Sequence, residues 1–203
     1  DPADYWAPCF LSQMAAVLDS HPRAGFAAAN MRILPEEPGT DWDDMVFFKR
    51  QPALNLEEIK LGNPLASSSQ VLLRTAAYAS LNRRVPPQDL AQTDADDEWL
   101  VWLALLNMGY DGLYRSQVLS ACRQSVKNGR QHRMKKQRDE DLVVQEWFPR
   151  LGFSTWDQRR VYGLRAFDAL HSAWTRREIA ALSLMLQDLP AFWAARRFRK
   201  RHT

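Results

Sequence analysis

Between Asp94 and Tyr110 the chain reads DADDEWLVWLALLNMGY: four carboxylates in five positions, then an apolar run from Trp99 to Met108, then a glycine. The run is longer than a typical strand, has no internal Gly or Pro, and is mostly Leu, Ala, Met and Trp. It predicts a helix buried nearly all round, with Gly109 just past its end in the C′ position. A helix with no polar face has to be surrounded, so the rest of the chain must be arranged around it.

The acids before it admit two readings. Thr93-Asp94-Ala95-Asp96 fits a capping box, and carboxylates in a first helical turn are stabilised by the macrodipole by about 0.3–1 kcal/mol each. Capping explains one or two acids, but four exceed it. A carboxylate held by a rigid helix at the mouth of a sheet is also what a general base requires. The stretch by itself leaves both open.

A chain of 203 residues can hold one sizeable domain, or a domain with an appendage. Its 46% hydrophobic and 25% charged residues are those of a globular protein. No apolar run reaches the 18 or so residues of a membrane span, and no signal peptide is visible. Cys9 and Cys122 are too few for a disulfide framework or a zinc site, which makes a reducing cytoplasm the default. P-loop, Gly-x-Gly-x-x-Gly, His-Glu-x-x-His and Gly-x-Ser-x-Gly patterns do not occur, and the four His are scattered. The net charge of +3 hides a split. Residues 1–122 carry nine Lys/Arg against sixteen Asp/Glu, a net of −7; residues 123–203 carry eighteen against eight, a net of +10. Such asymmetry marks two regions, the basic one facing an anionic partner. The boundary falls near Ser125, giving regions 1–125 and 126–203.

Asp4 is placed to cap a helix with Pro8 near its first turn, and Phe10, Leu11, Met14 and Leu18 form its apolar stripe, stopped at Ser20-His21-Pro22. Gly25–Leu34 reads as a buried strand, Pro35–Asp44 as a solvated loop, Met45–Phe48 as a short strand and Pro52–Gly62 as a short helix or loop. Gly62-Asn63-Pro64 is turn chemistry, Gln70–Leu73 suits a strand, and Ala76–Leu81 a helix. Asp111–Cys122 reads as a strand. Seven Lys/Arg and no acid lie in Arg123–Arg138. Leu142–Leu151, Trp156–Trp174 and Arg177–Arg199 look helical. Val161, Leu164, Phe167 and Leu170 would pack against Ile179, Leu182 and Leu186 as a hairpin.

Three of these segments, in order, resemble family 2 glycosyltransferases of the GT-A fold. The acidic doublet leading into a Trp- and Leu-rich helix closed by Gly109-Tyr110 is similar to the family's catalytic-base segment. Asp1-Pro2-Ala3-Asp4-Tyr5-Trp6, followed by Pro8 and a helix ending in His21-Pro22, resembles the end of its metal-binding region, Asp-x-Asp-Asp-x-Trp; Ala3 departs from that pattern. Asn63, Ser67 and Ser68, before a strand ending in Arg74, resemble the segment lining the acceptor side of the cleft. Asp111–Cys122 is similar to a strand closing the cleft, ending near Arg123.

The resemblance covers residues 1–123. It implies an α/β fold: the acceptor-side part of a GT-A, Rossmann-like domain, followed by a basic helical extension. It implies sugar transfer from a nucleotide-sugar donor to a saccharide or other hydroxyl acceptor, with inversion. For the base, alignment by distance to Gly109 gives Glu98 or Asp97, and alignment by the acidic doublet gives Asp96 or Asp97. Asp97, common to both, is the implied base; Asn63, Ser67, Ser68, Trp99 and Arg123 would contact substrate; Asp1 and Asp4 would hold Mg²⁺ or Mn²⁺. The chain begins without Met inside a motif, so the nucleotide-binding half is expected before Asp1, and the chain alone is expected to be inactive. The basic tail Arg196–Arg201 suits peripheral contact with an anionic membrane, at about 1 kcal/mol per basic residue. Nucleic acid is not the expected partner. The alternative is a non-catalytic helical module whose basic half grips nucleic acid or another anionic surface, with salt-dependent affinity.

Overall fold

The computed structural model describes residues 4–35, 51–85, 97–124 and 138–175, with side chains at 4–32, 51–85, 98–122 and 138–168. Four strands form one mixed sheet in the order β1-β4-β2-β3: β1 Tyr5–Trp6, β2 Ala24–Pro35, β3 Val71–Leu73 and β4 Asp111–Gln124. The two long central strands run parallel, from Ala24 opposite Asp111 to Pro35 opposite Gln124, and the short outer strands pair antiparallel to them. An α/β architecture is therefore present, with a sheet that curls. The curl has a local cause. The β2–β4 register shifts between Ala29 and Asn30 and again between Asn30 and Met31, so β4 carries extra residues there and bends.

β2 has small residues where a helix must come close. Helix α1, Phe10–Asp19, buries Phe10, Met14 and Leu18 against Ala24, Ala27, Ala29 and Leu119. Each such large side chain contributes about 1.5–3 kcal/mol. Leu11, expected on that stripe, is 53% exposed, because it sits one residue off the i, i+4, i+8 line of Phe10, Met14 and Leu18. Cys9 occupies the N-cap position without a side-chain cap bond, so Asp4 does not cap α1.

The opposite face of the sheet, through Phe26 and Ala28, meets the second cluster. Its centre is α4, Asp97–Asn107, surrounded by α2 (Leu56–Ile59) and α3 (Thr75–Arg84) and by later helices. Trp99, Leu100, Leu103, Ala104 and Leu105 are all buried, as a helix without a polar face requires. Gly109 ends α4 at φ +88°, with Gly109 N–H donating to Leu106 O and Tyr110 N–H to Leu105 O, a Schellman closure.

Residues 138–150, called α5, contain a π-helical turn at Val143–Trp147 just before Pro149. A proline can neither donate to the carbonyl four residues back nor tolerate it at α-helical distance, and the turn widens instead. Ser154 and Asp157 then exchange cap bonds to start α6, Thr155–Thr175. Val143, Val144, Trp147, Phe148 and Val161 enter the same cluster as Trp99, so the helical extension shares the core of α4. Lys60 pairs with Asp157 at 3.4 Å and Arg160 with Glu57 at 3.0 Å, which links the end of α2 to α6. Met45–Phe48, Thr93–Asp96, residues 125–137 and Arg177–Arg199 lie outside the described residues.

Candidate functional site

Asp4 stands just before β1, whose pairing with β4 (Tyr5 opposite Ala121, Trp6 opposite Ser120) carries it towards the end of β4. The segment Asn63–Gln70 comes from the other edge of the sheet. Asn63 Oδ1 accepts from Leu65 N–H at 3.1 Å, an Asx turn that sends the chain round Pro64. Ser67 caps the 3₁₀ turn Ser68–Gln70 by accepting from Ser69 N–H at 3.1 Å. Gln70, fully buried, fastens the turn: its Oε1 accepts from Ala66 N–H at 3.0 Å and its Nε2 donates to Ala29 O at 3.2 Å.

The curl of the sheet closes the distance between the two edges. Ser67 Oγ donates to Asp4 Oδ2 at 2.9 Å, and Trp6 Nε1 donates to Ser69 O at 2.6 Å. Asp4 and Ser67, both implied as site residues, thus meet where the two edges of the curled sheet approach, beside the carboxyl-terminal half of β4. Exposed Ser68 belongs to the same turn. Burial pushes the Cys122 thiol above its ordinary range, and the Asp4 carboxylate beside it adds to the rise.

Other implied residues are placed differently. Trp99 is fully buried, and its indole N–H donates to Ile59 O at 2.6 Å. It packs beneath the surface instead of facing a ligand, because the helix that bears it is covered on all sides. Arg74 donates to Ala24 O at 2.9 Å and to Leu18 O at 2.6 Å, tying off the end of α1. Glu98 is half-buried in the first turn of α4, about 16 Å along the helix from Gly109. Asp97 begins α4 and Arg123 lies in β4, each with its side chain outside the described residues, as are Asp1 and Asp96 altogether. Trp6 and Gln70 were absent from the implied contacts. Trp6 carried a signal, as the aromatic of Asp-x-Asp-Asp-x-Trp; Gln70 read only as the start of a strand.

Among the described residues no group of three His, Cys, Asp or Glu is gathered for a metal. Asp4 and the Ser67 hydroxyl are nonetheless hard oxygen donors. That fits Mg²⁺ or Mn²⁺ beside a diphosphate, where one or two carboxylates suffice and the substrate supplies the other ligands. A cleft of about 470 Å³ lies at the opposite, amino end of β4, between Leu54, Leu56, Leu106 and Tyr110. Its charged groups, Arg23 and Asp111, face each other at 3.6 Å, and it contains none of the implied site residues. In the basic half, Arg160 and Arg165 are engaged by carboxylates, Arg160 by Glu57 and Asp157 and Arg165 by Glu140 and Asp141. Among the described residues no helix is long and apolar enough to cross a membrane.

Comparison with known proteins gives no match to a family model, to a curated protein or to a solved structure.

Proposed function

We propose that the chain is the acceptor-side part of an inverting glycosyltransferase that moves a sugar from a nucleotide-sugar to a hydroxyl acceptor. The observation supporting it most is the Asp4–Ser67 pair. Two segments 63 residues apart, each resembling a different part of the same cleft, share a hydrogen bond where the two edges of the curled mixed sheet approach each other.

In this reading a carboxylate at the start of α4, Asp97 with Asp96 and Glu98 beside it, takes the proton of the acceptor hydroxyl. The freed oxygen bonds to the anomeric carbon from the face opposite the diphosphate. The bond from that carbon to the diphosphate oxygen breaks, and its electron pair leaves with the nucleoside diphosphate. Asp4, with Asp1, would hold a divalent cation, which when bound would supply positive charge to offset that growing on the leaving group. Ser67 fixes the orientation of Asp4, while Ser68 and Asn63 border the acceptor.

The test is release of nucleoside diphosphate from UDP-glucose, UDP-N-acetylglucosamine and GDP-mannose, with Mn²⁺ and cellotetraose, by this chain and by a form extended before Asp1. Asp97→Asn lowers turnover by about 100-fold or more while nucleotide-sugar binding changes little. Unchanged turnover in that variant removes the assignment. The alternative is a non-catalytic helical module whose basic half, residues 126–203, grips nucleic acid or another anionic surface, and a mobility-shift assay at two salt concentrations separates it.

A further inference from the structure

Trp6 is held on two sides and open on a third. One ring face stacks on Phe10, with centroids 4.7 Å apart and planes within 12° of parallel. Its indole N–H is fixed to Ser69 O at 2.6 Å. A ring covered on one face and still 51% exposed has its other face in solvent. That is costly for the largest apolar side chain, which a core would normally absorb. The polar border is equally specific. Trp6 and Asp4, two residues apart, reach the same turn, Trp6 at Ser69 and Asp4 at Ser67, with the exposed Ser68 between them in the chain.

We propose that the open face of Trp6 is the stacking plate for a neutral pyranose ring whose hydroxyls are held by Ser68 and, in the cation-free chain, by Asp4. A pyranose presents axial C–H bonds on one face, which the negative face of an indole attracts, and a rim of hydroxyls that donate to a carboxylate. An acyl chain has no use for the polar border of Asp4 and Ser68, and without a bound cation a phosphate-bearing polymer is repelled by Asp4 and by the net charge of −7 over residues 1–122. A plate fixed beforehand by stacking and a hydrogen bond loses little entropy on binding. Calling this ring the acceptor rests on the transferase reading; the stacking does not.

Saturation-transfer NMR on the intact chain, with methyl β-D-glucopyranoside, cellotetraose and chitotetraose as probes, reads the contact directly. Saturation reaches the axial ring protons with the wild-type chain and with Trp156→Ala, which removes another exposed Trp. Trp6→Ala weakens cellotetraose binding by about 3- to 10-fold, whereas Trp6→Phe, which keeps a plate but loses the N–H, retains most of it. Should Trp6→Ala fail to fold, the indole ¹⁵N–H resonance missing from Trp6→Phe identifies Trp6 in the wild-type spectrum, and cellotetraose shifts it. No saturation with any of the three sugars, an unchanged response in a folded Trp6→Ala, or an unmoved indole resonance overturns the proposal. Sugar binding through Trp6 without nucleotide-sugar turnover keeps the plate and removes the transferase; turnover without Trp6-dependent sugar contact does the reverse.

Discussion

A carboxylate just ahead of a two-residue edge strand has no local partner, and Asp4 finds one 63 positions away in Ser67. The hydrogen bond orients one oxygen of Asp4, while the carboxylate's charge is felt by Cys122. That adjacency is measurable. In a Cys9→Ser background, Asp4→Asn removes a negative neighbour, brings the thiol back down and raises the thiolate fraction, so iodoacetamide alkylates Cys122 severalfold faster at pH 8. Burial remains the larger cause of the raised value, so the reaction stays slower than that of an exposed thiol. An unchanged alkylation rate would separate Asp4 from Cys122.

At the scale of elements, two glycines bracket the turn from α4 into β4 for opposite reasons. Gly109 has φ +88° and nothing within 4 Å of where a Cβ would sit. Its substitution therefore costs backbone conformation alone: Gly109→Ala destabilises by about 1–2 kcal/mol, and Gly109→Asn by less. At Gly112 a Cβ would meet Leu54 O and Phe26 Cζ, both at 2.7 Å. Gly112→Ala costs about 1–3 kcal/mol from overpacking, and Gly112→Asn costs more, not less. Urea denaturation of the four variants checks the crossed ranking; the same order at both sites would show that one mechanism governs them. The buried α4 itself was legible from its composition. The π-helical turn before Pro149 was not, because a proline inside an apolar run is compatible with several local adjustments.

Across the whole molecule, the ion pairs between α2 and α6 tie the helical extension to the cluster around Trp99. Burial alone would raise the Glu57 and Asp157 carboxyls. Hydrogen bonds and charge from Lys60 and Arg160 for Glu57, and from Ser154 and Lys60 for Asp157, hold both below their ordinary values of 4.5 and 3.8. A depressed folded value binds protons less tightly than the unfolded chain does. The resulting stabilisation is complete above the ordinary values and is lost as pH falls through the folded ones. Lys60→Met should therefore flatten the decline in urea midpoint below about pH 4.5, relative to wild type. An acid limb of unchanged slope would mean that these pairs do not carry it.

The sequence by itself determined the local terms: the all-round apolar helix and its glycine stop, a strand at Gly25–Leu34 that the structure extends to Ala24–Pro35, the α1 stripe apart from Leu11, and a strand at Asp111–Cys122 that runs on to Gln124. Those depend on side-chain periodicity and backbone preference, which neighbours in the chain already fix. Only the tertiary structure decided what Asp4 and Trp6 face, why Trp99 lies in the core, and that the helices after residue 138 close over α4. Each of these follows from a register shift or a packing contact between segments tens of residues apart. No local pattern encodes where a bent sheet brings its edges together.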